Sequence, residues 1–300
     1  MRTPAWIIGL GLICALPCGV NAAGEYDAGT ITWSRLEFQV TKLGITATSE
    51  ISLRTGSVAE IGSDLRPIPD GGELQPRRSQ VAVLTLESQA LWRSSTLDLW
   101  FDPTDAAALQ RVQLETGKAA RRNRYRLLRF TGHSAYSLTR KATEDEVGKP
   151  HEEWSQVNEW TIDYPRRVPR GVTTPSALFY ILSAGNLSQP GDTLQLYLFS
   201  KSRLMELDLE VLGRAEIDSD YVQIVAGEES ALQETVSTIE ISLDGRPVDG
   251  GEGEESFEFL GLRGDVRIYL EPRLRIPVQV SGAIKVVGPG DVKLKRVVRR

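Results

Sequence analysis

The chain has 300 residues, with 35 Lys and Arg against 40 Asp and Glu and a formal net charge of −5 at pH 7. That balance argues against a nucleic-acid partner, which calls for a basic patch or stripe. Two histidines in the whole chain rule out a three-histidine zinc centre.

The N-terminus reads as a secretory signal over residues 1–22: Arg2 supplies the positive charge, an apolar run covers residues 5–15, and Val20-Asn21-Ala22 offers small residues for cleavage near Ala22. The expected address is the periplasm. A membrane anchor is disfavoured, because a span needs about 20 apolar residues and Pro17 interrupts this run. Cys14 and Cys18 would leave with the signal, so the mature chain is expected to stand without thiol or disulfide and to rely on burial alone. Residues 23–300 are long enough for one large β-rich domain, with a division into two β-domains near 170 as the alternative. No second long apolar segment follows, so no integral span is expected after cleavage.

Taken in order, the mature chain alternates with period two. Leu36, Phe38 and Val40 oppose Arg35, Glu37 and Gln39, and a second run over 45–54 follows the Leu43-Gly44 connection to make a hairpin. Residues 62–79 are rich in Pro, Gly and charge and read as an exposed loop. Strands resume over 81–86 and 95–101, where Leu97, Leu99 and Phe101 alternate with polar partners. The run over 121–130 is strongly basic, and its apolar phase slips between Leu127 and Leu128, which predicts a bulge or burial on both faces. Residues 141–153 read as a polar loop, and 154–164 lead into a proline-marked segment.

The one convincing helix follows. Thr174 is placed to cap it, Pro175 suits its first position, and Gly185 is placed to end it in the left-handed conformation. Leu178, Phe179, Ile181 and Leu182 give it an apolar stripe. After Pro190-Gly191 the period returns to two: Leu194, Leu196 and Leu198, then Leu207, Leu209 and Val211, with further strands near 221–225 and 239–243. An acidic, glycine-rich break covers 244–255. The C-terminal hairpins run through Val266, Ile268 and Leu270, then Ile276 to Val280, Ile284, Val292 and Leu294. Pro277 cannot donate a ladder bond, so its strand is expected at an edge or beside a bulge. So many strands curl a sheet, and the predicted fold is mainly β: a large curved antiparallel sheet, half or full barrel, with one packed helix near 175–184.

The motifs Thr174-Pro175-Ser176-Ala177-Leu178-Phe179-Tyr180, Pro190-Gly191-Asp192-Thr193 and Arg273-Leu274-Arg275-Ile276-Pro277-Val278, followed by Gly282, resemble an uncharacterised bacterial periplasmic family, a domain of unknown function. The resemblance spans roughly residues 125–297. It implies an exported curved sheet of half-barrel, lipocalin-like or lipoprotein-carrier-like form, with no assigned catalysis.

Candidate chemistry is sparse. His133 lies in Thr131-Gly132-His133-Ser134 without a nucleophile-elbow pattern, and His151 lies in a polar loop without the partner spacing of a zinc protease. Asp244, Asp249, Glu252, Glu254 and Glu255 supply the oxygen ligands of a hard cation, but their spacing is not that of an EF-hand and an ordinary solvated loop accounts for them. No cofactor, metal or catalytic residue is assigned. The basic run Arg121, Arg122, Arg124, Arg126 and Arg129 carries planar forks suited to phosphate or carboxylate head groups. The candidate ligand-binding residues are Trp100, Arg124, Arg126, Tyr136 and Trp154 with the helix face Leu178, Phe179 and Leu182. The expected function is a non-enzymatic periplasmic protein holding a lipid or other envelope amphiphile in a concave sheet. A ligand-free envelope scaffold with an exposed edge near Pro277 is the second reading, and an envelope hydrolase using paired acids the third.

Overall fold

A computed structural model of the chain describes residues 26–69, 71–168, 171–200, 203–250, 257–285 and 287–300. The expected signal at 1–22, both cysteines and Glu252, Glu254 and Glu255 lie outside them. Among the described residues fifteen strands form one sheet, and two short α-helices accompany it. The first eight strands are β1 (Trp33–Lys42), β2 (Ile45–Ser57), β3 (Gln80–Ala90), β4 (Arg93–Phe101), β5 (Ala108–Gly117), β6 (Arg124–Phe130), β7 (Ser134–Lys141) and β8 (Gln156–Asp163). The other seven are β9 (Thr193–Ser200), β10 (Arg203–Val225), β11 (Glu228–Pro247), β12 (Glu258–Phe259), β13 (Leu262–Glu271), β14 (Ile276–Ile284) and β15 (Gly288–Arg299). Helix α1 is Val58–Ile61 and α2 is Leu178–Ala184.

Strands β1 to β8 form one antiparallel meander and β9 to β15 a second, with the small β12 paired only to β13. The two meanders are joined through the chain's first and last strands, Leu36 standing opposite Val297 and Phe38 opposite Leu294. A parallel strand pairing sets Val222 to Ile224 of β10 beside Arg296 to Val298 of β15, so the long β10–β11 hairpin returns against the second meander and closes it on itself. The remaining edges, β8 and β9, approach each other: the Trp160 and Phe199 rings lie 6.1 Å apart. The segment 172–174 ties the two meanders together, since Ala108 N–H at the start of β5 donates to the Val172 carbonyl at 2.9 Å and Phe199 N–H of β9 to the Thr173 carbonyl at 2.8 Å.

Alternation decides the inner face. Leu36, Phe38, Ile51, Leu84, Leu99, Phe130, Leu207, Ile241, Ile268, Val280 and Val297 all enter one core cluster, and α2 lies in the middle of it. A sheet whose strands all face one central helix must wrap around that helix. Every residue from Leu178 to Ser183 is buried, so α2 is apolar all round rather than striped, as a fully enclosed helix must be. Its few polar groups find partners inside: the Trp33 Nε1–H donates to Ser183 Oγ at 2.9 Å, Ser183 Oγ–H to the Arg275 carbonyl at 2.8 Å, and the Tyr180 hydroxyl to the Pro103 carbonyl.

The helix ends differ from expectation. Thr174 Oγ1 bonds Ser176 Oγ at 2.9 Å instead of capping the helix, and Pro175 opens a 3₁₀ turn that runs into α2. Gly185 is extended, not left-handed, and is needed for space: a Cβ there would stand 2.5 Å from the Ile181 carbonyl oxygen. The Leu182 carbonyl in the last turn is capped instead by Arg275, whose Nη2 reaches it at 2.8 Å, while Nη1 reaches Leu187 O just beyond the helix at 3.2 Å.

Two smaller clusters cover the outer face. Ile61, Leu74, Val81, Val83, Trp100, Ala107 and Leu109 form one, and Tyr125, Leu127, Ala142 and Trp154 the other. Residues 62–79, expected as an exposed loop, therefore bury Leu74, whose N–H also donates to the Phe130 carbonyl at 2.8 Å. The phase slip in β6 is burial on both faces: Leu127 belongs to the outer cluster and Leu128 to the core, with unbroken registers to both neighbours. Pro277 lies beside a bulge, where Leu270 pairs with Pro277 but Tyr269 with Gln279. Its strand runs between β13 and β15, so the scaffold reading's exposed edge at Pro277 is not there. No described helix is long and apolar enough to cross a membrane.

Candidate functional site

At the end of the sheet nearest the N-terminus of α2, the core stops short and leaves an open cavity of about 730 Å³. Its floor is aromatic. Phe179, in the first turn of α2, packs between Phe38 and Phe259 with ring centroids 5.6 and 5.2 Å away, and Pro175, Ser176 and Phe199 continue the surface. Leu86, Leu97, Val40 and Val292 add aliphatic wall.

One wall is polar and basic. The ladder sets Arg93 opposite Gly117, Leu99 opposite Arg111, and Gln113 opposite Arg126, so guanidiniums from β4, β5 and β6 converge on the same inner surface. Arg111 Nη2 donates to Gln113 Oε1 at 2.6 Å, and Gln113 Nε2 donates to Ser95 Oγ at 3.1 Å. Glu115 pairs with Arg93 at 3.3 Å. Arg126 has no hydrogen-bonded or ion-paired side chain among the described residues, and Nε of Arg111 and of Arg124 are buried without partners. Burial pulls the Arg111 guanidinium down to about 10, with the neighbouring Arg126 adding to the effect and Glu115 opposing it. Burial lowers Arg126 as well, helped by Arg124 and opposed by Glu115. A second carboxylate, Glu258, enters from the facing β12 hairpin. The cavity thus offers three guanidiniums against two carboxylates, above an aromatic floor: the shape of a site for an anionic head with an apolar body.

The residues expected from sequence divide. Arg126 and Phe179 line the cavity. Arg124 stands two residues from Arg126 on the same strand face, nearer the rim. Leu178 and Leu182 are enclosed in the core, since the helix has no free face. Trp100 and Trp154 fill the two outer clusters, the Trp154 Nε1–H donating to the Lys149 carbonyl at 3.1 Å. Tyr136 stands opposite Arg129 and donates to Glu159 Oε2 at 2.9 Å, a bond that, after burial, helps raise the phenol to about 12. Arg129 itself turns outward to the Leu109 carbonyl at 2.7 Å. Sequence reasoning missed Arg93, Arg111, Gln113 and Glu115. The alternation of Val112 and Leu114 with Arg111, Gln113 and Glu115 was the signal available.

The histidines stand apart from this cavity. His133 is exposed in its turn, and Ser134 Oγ bonds Thr131 Oγ1 at 2.8 Å. His151 stacks on Tyr125 with centroids 4.0 Å apart, and burial lowers its pKa. Among the described residues no group of three metal-ligating side chains gathers. Fold and cavity define a mainly antiparallel β protein wrapped around a buried helix, with a basic, aromatic-floored opening at one end. No family model, curated protein or solved structure matches the chain.

Proposed function

We propose that the protein is a non-enzymatic exported carrier that takes an anionic amphiphile, such as a fatty acid or an acidic lipid, into the cavity above Phe179. The observation that carries this reading is the unpartnered Arg126 beside Arg111 in a concave, largely apolar opening of about 730 Å³. Cavities of roughly 300–1,000 Å³ with a few convergent polar groups are the usual size of small-molecule sites. Partly buried guanidiniums without carboxylate partners are costly to maintain, and an anionic head supplies the missing charge. The apolar body would lie on Phe38, Phe179, Phe259 and Leu97, so of the helix only its first turn takes part. The signal-like residues 1–22 agree with export.

The test is titration of delipidated protein with a fluorescent long-chain fatty acid and with the corresponding alcohol. The acid is expected to bind, the alcohol at least tenfold more weakly, and Arg126→Gln to weaken the acid about tenfold, as loss of a charge-assisted hydrogen bond does. Equal binding of acid and alcohol, or none of either, sinks the reading. A scaffold role draws on one observation, the almost wholly exposed edge strand β8, and predicts that a strand-forming partner rather than an amphiphile co-purifies.

A further inference from the structure

The cavity mouth is ringed by hairpin tips. Ala47 pairs with Ala90 and Arg93 with Gly117, so the turns β1–β2, β3–β4 and β5–β6 share one rim. The β14–β15 turn joins them, because Lys42 Nζ donates to the Pro289 carbonyl at 2.7 Å. Of the eight large apolar residues left exposed among the described residues, four stand on this rim: Leu43 (81 %), Ile45 (45 %), Leu91 (56 %) and Trp92 (51 %). They belong to two adjacent tips, and Val40, Ala47, Ala90 and Arg93 just below them line the cavity.

Two further features mark these tips, the first being leucine at the left-handed position where the β10–β11 turn carries Ala226 at φ 51°. Leu43, Leu91 and Leu260 adopt φ of 51°, 52° and 52°, a left-handed conformation that glycine or asparagine takes without strain, and all three crown hairpins around the mouth. Leucine is there against the preference of the backbone, and at Leu43 and Leu91 it is exposed as well. The apolar tips are also flanked by cations. Lys118 Nζ and the Arg122 guanidinium lie 5.9 and 5.7 Å from the Trp92 ring centre, and Arg121 and Lys285 are exposed on the neighbouring turns. Two carboxylates border the mouth, Glu115 paired with Arg93 and Glu258 on the facing β12 hairpin, and the acidic turn Glu144–Glu146 lies at the far side of the arc, beyond β6 and β7.

We infer that this rim docks on an anionic lipid bilayer, with Leu43, Leu91 and Trp92 inserted at the level of the head groups and Lys118, Arg121 and Arg122 against the phosphates. Separate apolar prongs with a tryptophan and flanking bases match an interface that is apolar below and anionic at the surface. The mouth opens beside the prongs, between them and the β12–β13 tip at Leu260, so an amphiphile can pass between bilayer and cavity without crossing water. The inference extends the carrier reading, and its test separates the two.

Full-length exported protein is mixed with vesicles of phosphatidylcholine alone and of three parts phosphatidylcholine to one part phosphatidylglycerol, then floated. Wild type is expected to float with the anionic vesicles and several-fold less with the neutral ones. The double variant Leu43→Asn, Leu91→Asn should lose at least tenfold in partitioning, the scale set by withdrawing leucines from an apolar phase. Lys118→Glu with Arg121→Glu should lose roughly fivefold or more per charge on anionic vesicles only. The asparagine pair suits the left-handed backbone, so its melting temperature should hold or rise, and its titration with the fluorescent fatty acid in solution should match wild type. Wild type that floats with neither vesicle, or an asparagine pair that floats like wild type, overturns the docking inference. Vesicle binding retained with no fatty-acid binding in solution would leave docking standing and remove the carrier reading.

Discussion

Arg111 carries its charge in a place that penalises it. Among the described residues its single side-chain hydrogen bond goes to a neutral amide and its Nε has no partner, and its pKa falls to about 10. Because the folded state holds that proton less tightly than the unfolded chain, the residue lowers stability at all pH values below about 10 and ceases to do so only as pH rises beyond it. Arg111→Met is therefore expected to raise the melting temperature of the empty protein, by about 1 kcal/mol of stability, while abolishing preference for an anionic ligand. Differential scanning calorimetry with and without fatty acid checks both; a destabilised empty variant would show that the guanidinium is structural. The same group sets a pH dependence. Affinity for the acid should be flat from the point where the ligand is ionised up to about pH 9 and decline as pH passes about 10, because binding requires the protonated guanidinium. At the rim the reasoning is similar but steric: Leu43→Asn alone should add about 1 kcal/mol by relieving the left-handed leucine, measurable by urea unfolding.

At the scale of elements, α2 is short, enclosed and lacks a side-chain cap at its start, so its stability rests on packing and on Arg275. Arg275→Ala leaves the carbonyls of Leu182 and Leu187 without their donor in a buried setting and should cost about 2–3 kcal/mol, with Arg275→Lys recovering part of it. Thermal unfolding of the pair checks this, and an unchanged melting temperature for the alanine variant would mean that water caps the helix equally well. Such a cap comes from a turn some 90 residues away in sequence and has no local signature. The hairpins of β1–β2 and β9–β10 were legible because one of their faces is mainly apolar and the other mainly polar. Strand β5 was not, since its inner face is Arg111, Gln113 and Glu115 and its apolar Val112 and Leu114 point outward beneath a flap. Strand β7 was hidden in the same way by Ser137 and Thr139, which sit where a core strand would carry aliphatics. The cavity and the unread strands have one cause: polar residues on a concave face that alternation assigns to solvent. Arg126 could be picked from a dense basic run, whereas Arg93 and Arg111 meet it only through the ladder.

For the whole molecule, the pairing of first strand with last is decisive. Leu36, Phe38 and Ile51 from one meander and Leu207, Ile268 and Val297 from the other enter the same cluster around α2. Strand β15 touches β1, β14 and β10 at once, so losing it would open the sheet in three places. Neither meander keeps a complete core alone, since each would expose the face it now turns to the helix. Unfolding is therefore expected to be a single cooperative transition, with near-ultraviolet and far-ultraviolet circular dichroism coinciding across a urea series. Removal of residues 288–300 should leave no such transition at all, although it deletes no residue of the first meander apart from its contacts with β15. The long separation between β1 and β15 also makes folding slow, because that loop must close before most of the core can form. Two resolved transitions, or a truncated chain that still melts cooperatively, would mean that the halves fold independently and that β15 merely seals a seam between them.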